Sequence, residues 1–278
     1  MAETVPPAQD GGMSTPVALT IAGSDSSGGA GIQADLKTFA ALGVYGASVI
    51  TALTAQNTTG VTGIHLVPPD FVFAQIEAVF SDLEVKTVKI GMVAQRATID
   101  AIAVALERWS QVPIVLDPVM VATSGDRLLE AEAVDALRTR LIPAAAILTP
   151  NLPEAAALLD EPIASSAAEI EAQGRRLLAL GCPAVLIKGG HAGGSASVDY
   201  LMSAAGTLTL SAPRSPTRNT HGTGCSLSSA IAAGLAKGED LVTAVRSAKI
   251  WVSDAIAAAD RFSVGRGHGP IHHFHRHY

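Results

Sequence analysis

Six strand-like runs alternate with helical patterns along this chain, and that alternation limits the fold more than any other feature. The runs are residues 17–22, 45–54, 85–90, 113–116, 146–149 and 184–187. Several are almost wholly apolar, as strands buried on both faces of a parallel sheet must be. Helical patterns lie between and after them, at about 32–42, 70–80, 98–108, 130–140, 169–180, 226–237 and 241–259. Residues 198–202 and 207–210 read as a hairpin turning at Ala204-Ala205-Gly206. Strand followed by helix, repeated, predicts one doubly wound α/β domain with a single active edge. We expect that domain over 17–278, behind a disordered leader over 1–16 rich in Pro, Gly, Gln and Asp.

At 278 residues the chain is long enough for one large α/β domain. A net charge of -6 and only 4% aromatic residues exclude a nucleic-acid surface, which needs basic patches and stacking rings. Two cysteines, Cys182 and Cys225, give no disulfide framework and point to a reducing, cytoplasmic setting. The uncharged stretch 38–64 is broken by Gly43, Gly46, Gln56 and Asn57, so it reads as helix end, strand and loop, not a membrane span. The histidines at 268, 272, 273, 275 and 277 read as a surface tail and not as a metal site.

The strand tips carry the chemistry. In parallel sheets ligands bind beyond the carboxyl ends of strands, and Gln56, Met92, Asp117, Asn151 and Lys188 fall there. Asp117 ends a buried strand, where a carboxylate must hold a cation or a hydroxyl. Glu154 is either a plain first-turn charge or the second of two carboxylates for Mg²⁺. Lys188, beside two glycines, suits a phosphate as a mobile point charge. The loop Gly23-Ser24-Asp25-Ser26-Ser27-Gly28-Gly29-Ala30-Gly31 lacks the dinucleotide spacing and holds no basic residue, so a neutral ring or hydroxyl fits it at least as well. Asp35 lies one turn into the following helix, where a plain first-turn charge is the simpler reading.

The stretch Asn219-Thr220-His221-Gly222-Thr223-Gly224-Cys225 feeds a long apolar helix. A glycine turn at a helix start offers unpaired amides and partial positive charge, an anion site. The same field is expected to lower the Cys225 thiol pKa. On the glycines alone, an anion site and a plain loop with a buried Cys are equally good readings.

Taken together these motifs resemble one family. Leu19-Thr20-Ile21-Ala22-Gly23-Ser24-Asp25-Ser26-Ser27-Gly28-Gly29-Ala30-Gly31-Ile32-Gln33-Ala34-Asp35 is similar to the opening of the hydroxymethylpyrimidine/phosphomethylpyrimidine kinases of thiamine biosynthesis. Asp117-Pro118-Val119-Met120, Asn151-Leu152-Pro153-Glu154, Lys188-Gly189-Gly190-His191 and Thr220-His221-Gly222-Thr223-Gly224-Cys225 continue the likeness in order. The resemblance implies a ribokinase-like three-layer αβα domain with a central, mostly parallel sheet, usually a homodimer, using ATP and Mg²⁺. It implies that Gln56 pairs with the pyrimidine edge while Gly23, Asp35, Met92 and Val119 line the substrate pocket. Asp117 and Glu154 would serve Mg²⁺. Asn151 and Lys188 would address the ATP phosphates, and Gly222, Thr223, Gly224 and Cys225 would form the anion hole. Related sugar kinases carry an Asp base where this chain has Cys225, so a thiolate base and a thiol that only shapes the hole both stay open. Pyridoxal kinases on the same scaffold are the nearest alternative, and they tend to carry Met where this chain has Gln56.

Overall fold

The computed structural model describes residues 15–109, 112–120, 128, 131–190, 195–261 and 263–278. The expected leader therefore lies, but for residues 15 and 16, outside the described residues. The strands are β1 (Val17–Asp25), β2 (Tyr45–Asn57), β3 (Gly60–Leu66), β4 (Val85–Ile90), β5 (Ile114–Leu116), β6 (Ile147–Leu148), β7 (Ala184–Ile187), β8 (Ala196–Ser203) and β9 (Gly206–Pro213). The helices are α1 (Gly31–Ala41), α2 (Pro69–Phe80), α3 (Arg96–Glu107), α4 (Ala131–Ala136), α5 (Leu152–Leu159), α6 (Ala167–Leu178), α7 (Thr223–Ala236) and α8 (Leu241–Ala257). A π turn, Leu137–Leu141, extends α4.

The strands form one sheet in the order β3-β2-β1-β4-β5-β6-β7-β8-β9. From β2 across to β7 every neighbouring pair is parallel. Hairpins at the two edges add the antiparallel pairs. One apolar layer packs Ile76, Ile99, Leu141, Leu158 and Leu177 on one face. The other packs Phe39, Ile231 and Trp251, from α1, α7 and α8. Three layers result, as expected, because strands such as Ile114–Leu116 and Ala184–Ile187 are apolar on both faces. Helix α7 is buried almost all round, and its Ala, Ser and Gly residues are what let it lie so deep.

Three expectations are corrected. Strand β2 continues past residue 54 to Asn57 and turns straight into β3, so Gln56 sits in a hairpin and not in a loop beyond a tip. Strand β3 carries two glycines and an exposed outer edge, which hides it from any apolar pattern. The histidine tail is no loose surface tail: Ile271, His272 and His273 are buried. His272 N donates to Ala255 O at 3.0 Å, and His273 Nε2 lies 2.9 Å from Ser226 Oγ at the base of α7. Burial, helped by Lys37 and the neighbouring histidines, pushes the His273 imidazole down to about 3.

Asp35 meets the third layer in a way the sequence did not suggest. Both of its oxygens bind Lys89 Nζ of β4, at 2.9 and 2.8 Å, with neither side chain exposed. Thr20 of β1 donates to the same carboxylate at 2.6 Å and Ser229 of α7 at 2.7 Å. Four elements thus meet on one buried ion pair. Burial is the largest influence and would lower the Lys89 pKa, but the charge and hydrogen bond of Asp35, with Cys225 and Asp117, together outweigh it and hold the ammonium above its ordinary value. Removing one partner strands the other charge, which costs about 3–5 kcal/mol. Asp35→Ala is therefore expected to lower unfolding stability by about that amount in urea titration, and Asp35→Ala/Lys89→Met to recover part of it. A double variant no more stable than Asp35→Ala would contradict the pairing.

Candidate active site

At the carboxyl edge of the parallel strands lies a cavity of about 970 Å³. Its position follows from topology: β1, β4, β5, β6 and β7 all end there, and the loops after them form its floor. Of the residues expected from the sequence, Gly23, Gln56, Met92, Val119, Asp117, Asn151, Glu154, Lys188, Gly222, Thr223, Gly224 and Cys225 line it. Asp35 does not, because its carboxylate is turned into the core toward Lys89. Lys89 takes its place on the cavity wall.

On one side, Gly23 has no room for a side chain, since a Cβ would stand 2.8 Å from Met92 Sδ. Gln56 is tied to the glycine loop through Ser26, whose hydroxyl donates to Gln56 O at 2.8 Å and accepts from Gln56 N at 2.9 Å. Thr54 Oγ1, whose single proton has Ser24 O at 2.8 Å and Gln56 Oε1 at 3.1 Å as acceptors, lies beside the carboxamide and ties it to the glycine loop.

On the other side, Gly222 begins α7 in the left-handed conformation, φ +79°. The helix's first internal bond runs from Ser226 N to Gly222 O at 2.9 Å. Thr223 N turns back to Thr220 O at 3.2 Å, so the amides of Gly224 and Cys225 are the ones left without a helical partner. Gly224 lies directly against Lys188: a Cβ there would stand 3.3 Å from Nζ.

Between the two sides runs a charged floor. Lys188 Nζ lies 2.8 Å from Asp117 Oδ1 and 3.9 Å from Glu154 Oε2. Thr149 and Ser228 each donate to Asp117 at 3.2 Å. Asn151 and Glu154 cap α5 reciprocally, at 2.8 and 2.7 Å, which leaves the Asn151 amide group only partly free. Burial would raise the Asp117 pKa, but Lys188 and Lys89 hold it below the usual range. Burial would lower Lys188, and Asp117 and Glu154 hold it raised instead. Glu154 is the group that loses: burial, with the Asp117 charge, lifts it to about 7 against the pull of Lys188. The two carboxylates share one ammonium and suit a hard cation. No group of three His, Cys, Asp or Glu ligands occurs among the described residues. Mg²⁺, which keeps several waters and takes phosphate oxygens, needs no more than two protein carboxylates.

The expected lowering of the Cys225 thiol pKa is reversed. Burial pushes the Cys225 thiol up to about 11, against the pull of Lys89, and the Asp35 and Asp117 charges add to it. The helix field that the sequence suggested is outweighed. Lys89, Asp25 and His221 also line the cavity and were missed. A lysine between Val88 and Ile90 in a strand interior was the available signal, since it cannot stay there without a carboxylate.

An ammonium, helix-start amides and a carboxamide lining one cavity, at the carboxyl edge of a doubly wound sheet, define a ribokinase-like small-molecule kinase. The family model for phosphomethylpyrimidine kinase matches residues 25–272. The chain is 56% identical over 258 residues to the hydroxymethylpyrimidine/phosphomethylpyrimidine kinase of Salmonella typhimurium, covering 93% of this chain and 97% of that one. Among solved structures, phosphomethylpyrimidine kinase from Clostridium difficile superposes with a TM-score of 0.76 at 44% identity, over 86% of this chain and 99% of that one. Pyridoxal kinase of Bacillus subtilis, in an ADP complex, superposes with a TM-score of 0.87 at 34% identity, over 95% and 100%. The chain belongs to the phosphomethylpyrimidine kinase family, and it is an enzyme.

Two outcomes follow from the pKa directions. Alkylation of Cys225 by iodoacetamide, followed by peptide mass spectrometry, is expected to rise with a midpoint near 11. At pH 8 it should run at least about tenfold slower than for an ordinary thiol; a midpoint below 8 would contradict this. Glu154 keeps its proton up to about 7 in the fold and up to 4.5 when unfolded. Its contribution to stability is therefore complete below the unfolded value and is lost as pH rises through 7. Glu154→Gln keeps the capping acceptor and removes the charge. It should melt about 2–4 °C above wild type at pH 8 and close to it at pH 5. A variant melting below wild type at pH 8 would count against the raised value.

Proposed function

We propose that this kinase uses ATP and Mg²⁺ to phosphorylate 4-amino-5-hydroxymethyl-2-methylpyrimidine, and then its monophosphate to the diphosphate, in the supply of thiamine diphosphate. The observation that carries this is the Gln56 carboxamide, beside Thr54, in the same cavity that the start of α7 lines. A carboxamide offers both roles the pyrimidine edge needs: its NH₂ donates to a ring nitrogen and its oxygen accepts from the 4-amino group. Gly23 and Met92 stack against the ring, and Val119 closes its other side.

Phosphoryl transfer asks for position and charge neutralisation more than for covalent chemistry. Gly222, Thr223, Gly224 and Cys225 form the cradle for the moving phosphoryl group, with the amides of Gly224 and Cys225 as its free donors. Lys188 adds a full positive charge beside Gly224. Asp117 and Glu154 would hold Mg²⁺, which would supply positive charge to neutralise the phosphates. Asn151 meets the nucleotide phosphates. Cys225 contributes its backbone amide and the shape of the hole: a thiol near 11 is a poor base. A loose transition state needs little help from a base until late. The enzyme acts in the cytoplasm as a homodimer.

Pyridoxal is the second reading, favoured by the likeness to pyridoxal kinase. Three acceptors assayed in parallel with ATP separate the two: the pyrimidine alcohol, its monophosphate and pyridoxal. The first two are expected to gain a phosphoryl group and pyridoxal to react poorly. Gln56→Met should lower kcat/KM for the pyrimidine about 10–100-fold, the cost of leaving its polar edge unpaired. Strong preference for pyridoxal in the unaltered enzyme would overturn the proposal.

A further inference from the structure

Two glycine-rich segments face the cavity from opposite ends of the chain, and one buried contact joins them. His221 Nε2 lies 2.8 Å from Asp25 Oδ2, with both side chains almost wholly buried. Asp25 is at the same time the organiser of its own loop. Its Oδ1 accepts from Ser27 N at 2.8 Å and Ser27 Oγ at 2.7 Å. Its Oδ2 accepts from Gly29 N at 3.1 Å and Ala30 N at 2.8 Å. Burial works against this charge, and the bonds from His221, Ser27 and Ala30 overcome it, so the carboxyl is held well below its ordinary range.

His221 stands immediately before Gly222, the residue that opens the phosphate cradle. Its backbone is held on both sides by the last segment of the chain: His221 N donates to Gly269 O at 3.0 Å, and Ile271 N donates to His221 O at 3.4 Å. The two loops touch with nothing to spare. A Cβ on Gly29 would stand 2.3 Å from His221 Cδ2, and one on Gly222 would stand 1.9 Å from Gly29 O. Among the described residues, the loop beside Gly23 and the start of α7 thus meet at a carboxylate–imidazole contact packed on two bare glycines.

We propose that Asp25 and His221 are a positioning pair that fixes the acceptor-side loop against the phosphate cradle. Neither is a catalytic residue. They act through the amides of Gly224 and Cys225, whose placement relative to the acceptor oxygen decides the rate of transfer. This rests on the function proposed above. Misplacing the cradle harms the transition state, in which the phosphoryl group sits between the loops. It leaves the pyrimidine's hold on Gln56 in place. The pair therefore governs kcat and not acceptor affinity.

The test compares His221→Gln, which keeps an N–H at the Nε2 position, with His221→Asn, which is too short to reach Asp25, and with His221→Ala. Steady-state rates are measured beside calorimetric binding of the pyrimidine alcohol without nucleotide. His221→Ala and His221→Asn are expected to lose about 10–100-fold in kcat, with the pyrimidine Kd changed less than about threefold. His221→Gln should return to within about fivefold of wild type. Asp25→Ala/His221→Ala should be no slower than the slower single variant, because the two residues act as one unit. The inference is overturned if His221→Asn keeps full kcat with only a lowered melting temperature. It is equally overturned if Gln and Asn variants are equally impaired, or if the Asp25 and His221 losses multiply. Where His221→Ala does not fold, the Gln and Asn pair carries the comparison. Wild-type turnover of the pyrimidine checks the underlying function separately; should pyridoxal prove the acceptor, the same split is read with pyridoxal.

Discussion

Two lysines are kept charged at the carboxyl edge of a buried parallel sheet, and the site is built on what keeps them so. Lys89 and Lys188 would both lose their protons to burial, and each is held by an aspartate, Asp35 and Asp117, at 2.8 Å. The first pair locks α1, β1, β4 and α7 together, with Asp35 in the core and Lys89 reaching the cavity wall. The second is nearly as deep but faces the cavity. A buried ion pair of this kind adds little to stability beside an apolar core. What it provides here is a fixed positive charge in a place of low dielectric, where it acts strongly on a phosphate.

The same charges explain why neighbouring acids and thiols behave unlike their free forms. Asp117 takes the greater share of Lys188, with a further pull from Lys89, and is held below the usual carboxylate range, while Glu154, beside it, is raised. Cys225 sits among the same groups but gets too little from Lys89 to offset its burial. Whichever group is nearest an ammonium keeps its charge, and the next one out gives it up.

Much of this was legible in the sequence. The parallel strands β5 and β7 show as apolar runs because both of their faces are buried, and residues at their tips had one place to go. Twelve expected site residues line one cavity for that reason. What was hidden depends on partners far along the chain. Asp35 reads as a helix charge until Lys89, 54 positions away, is seen beside it. Asp25 and His221 are 196 positions apart. Strand β3 escaped notice because an edge strand with two glycines has no apolar face to display. The tail was misread because five histidines suggest exposure, and only the contact of Ile271 and His273 with α7 and α8 reveals the anchor.

That anchor has a bearing on how the protein is made. Gly269 and Ile271 grip His221 through the backbone, and Gly269 N donates to Asn219 Oδ1 across 50 positions of chain. A ribosome threads residues out in order, at about 5–20 per second. Sheet and helices through α8 emerge while the turn at Gly222 still lacks its clasp. The phosphate cradle therefore stays unfinished after α8 has been made, and is completed only when the segment through Ile271 clears the exit tunnel.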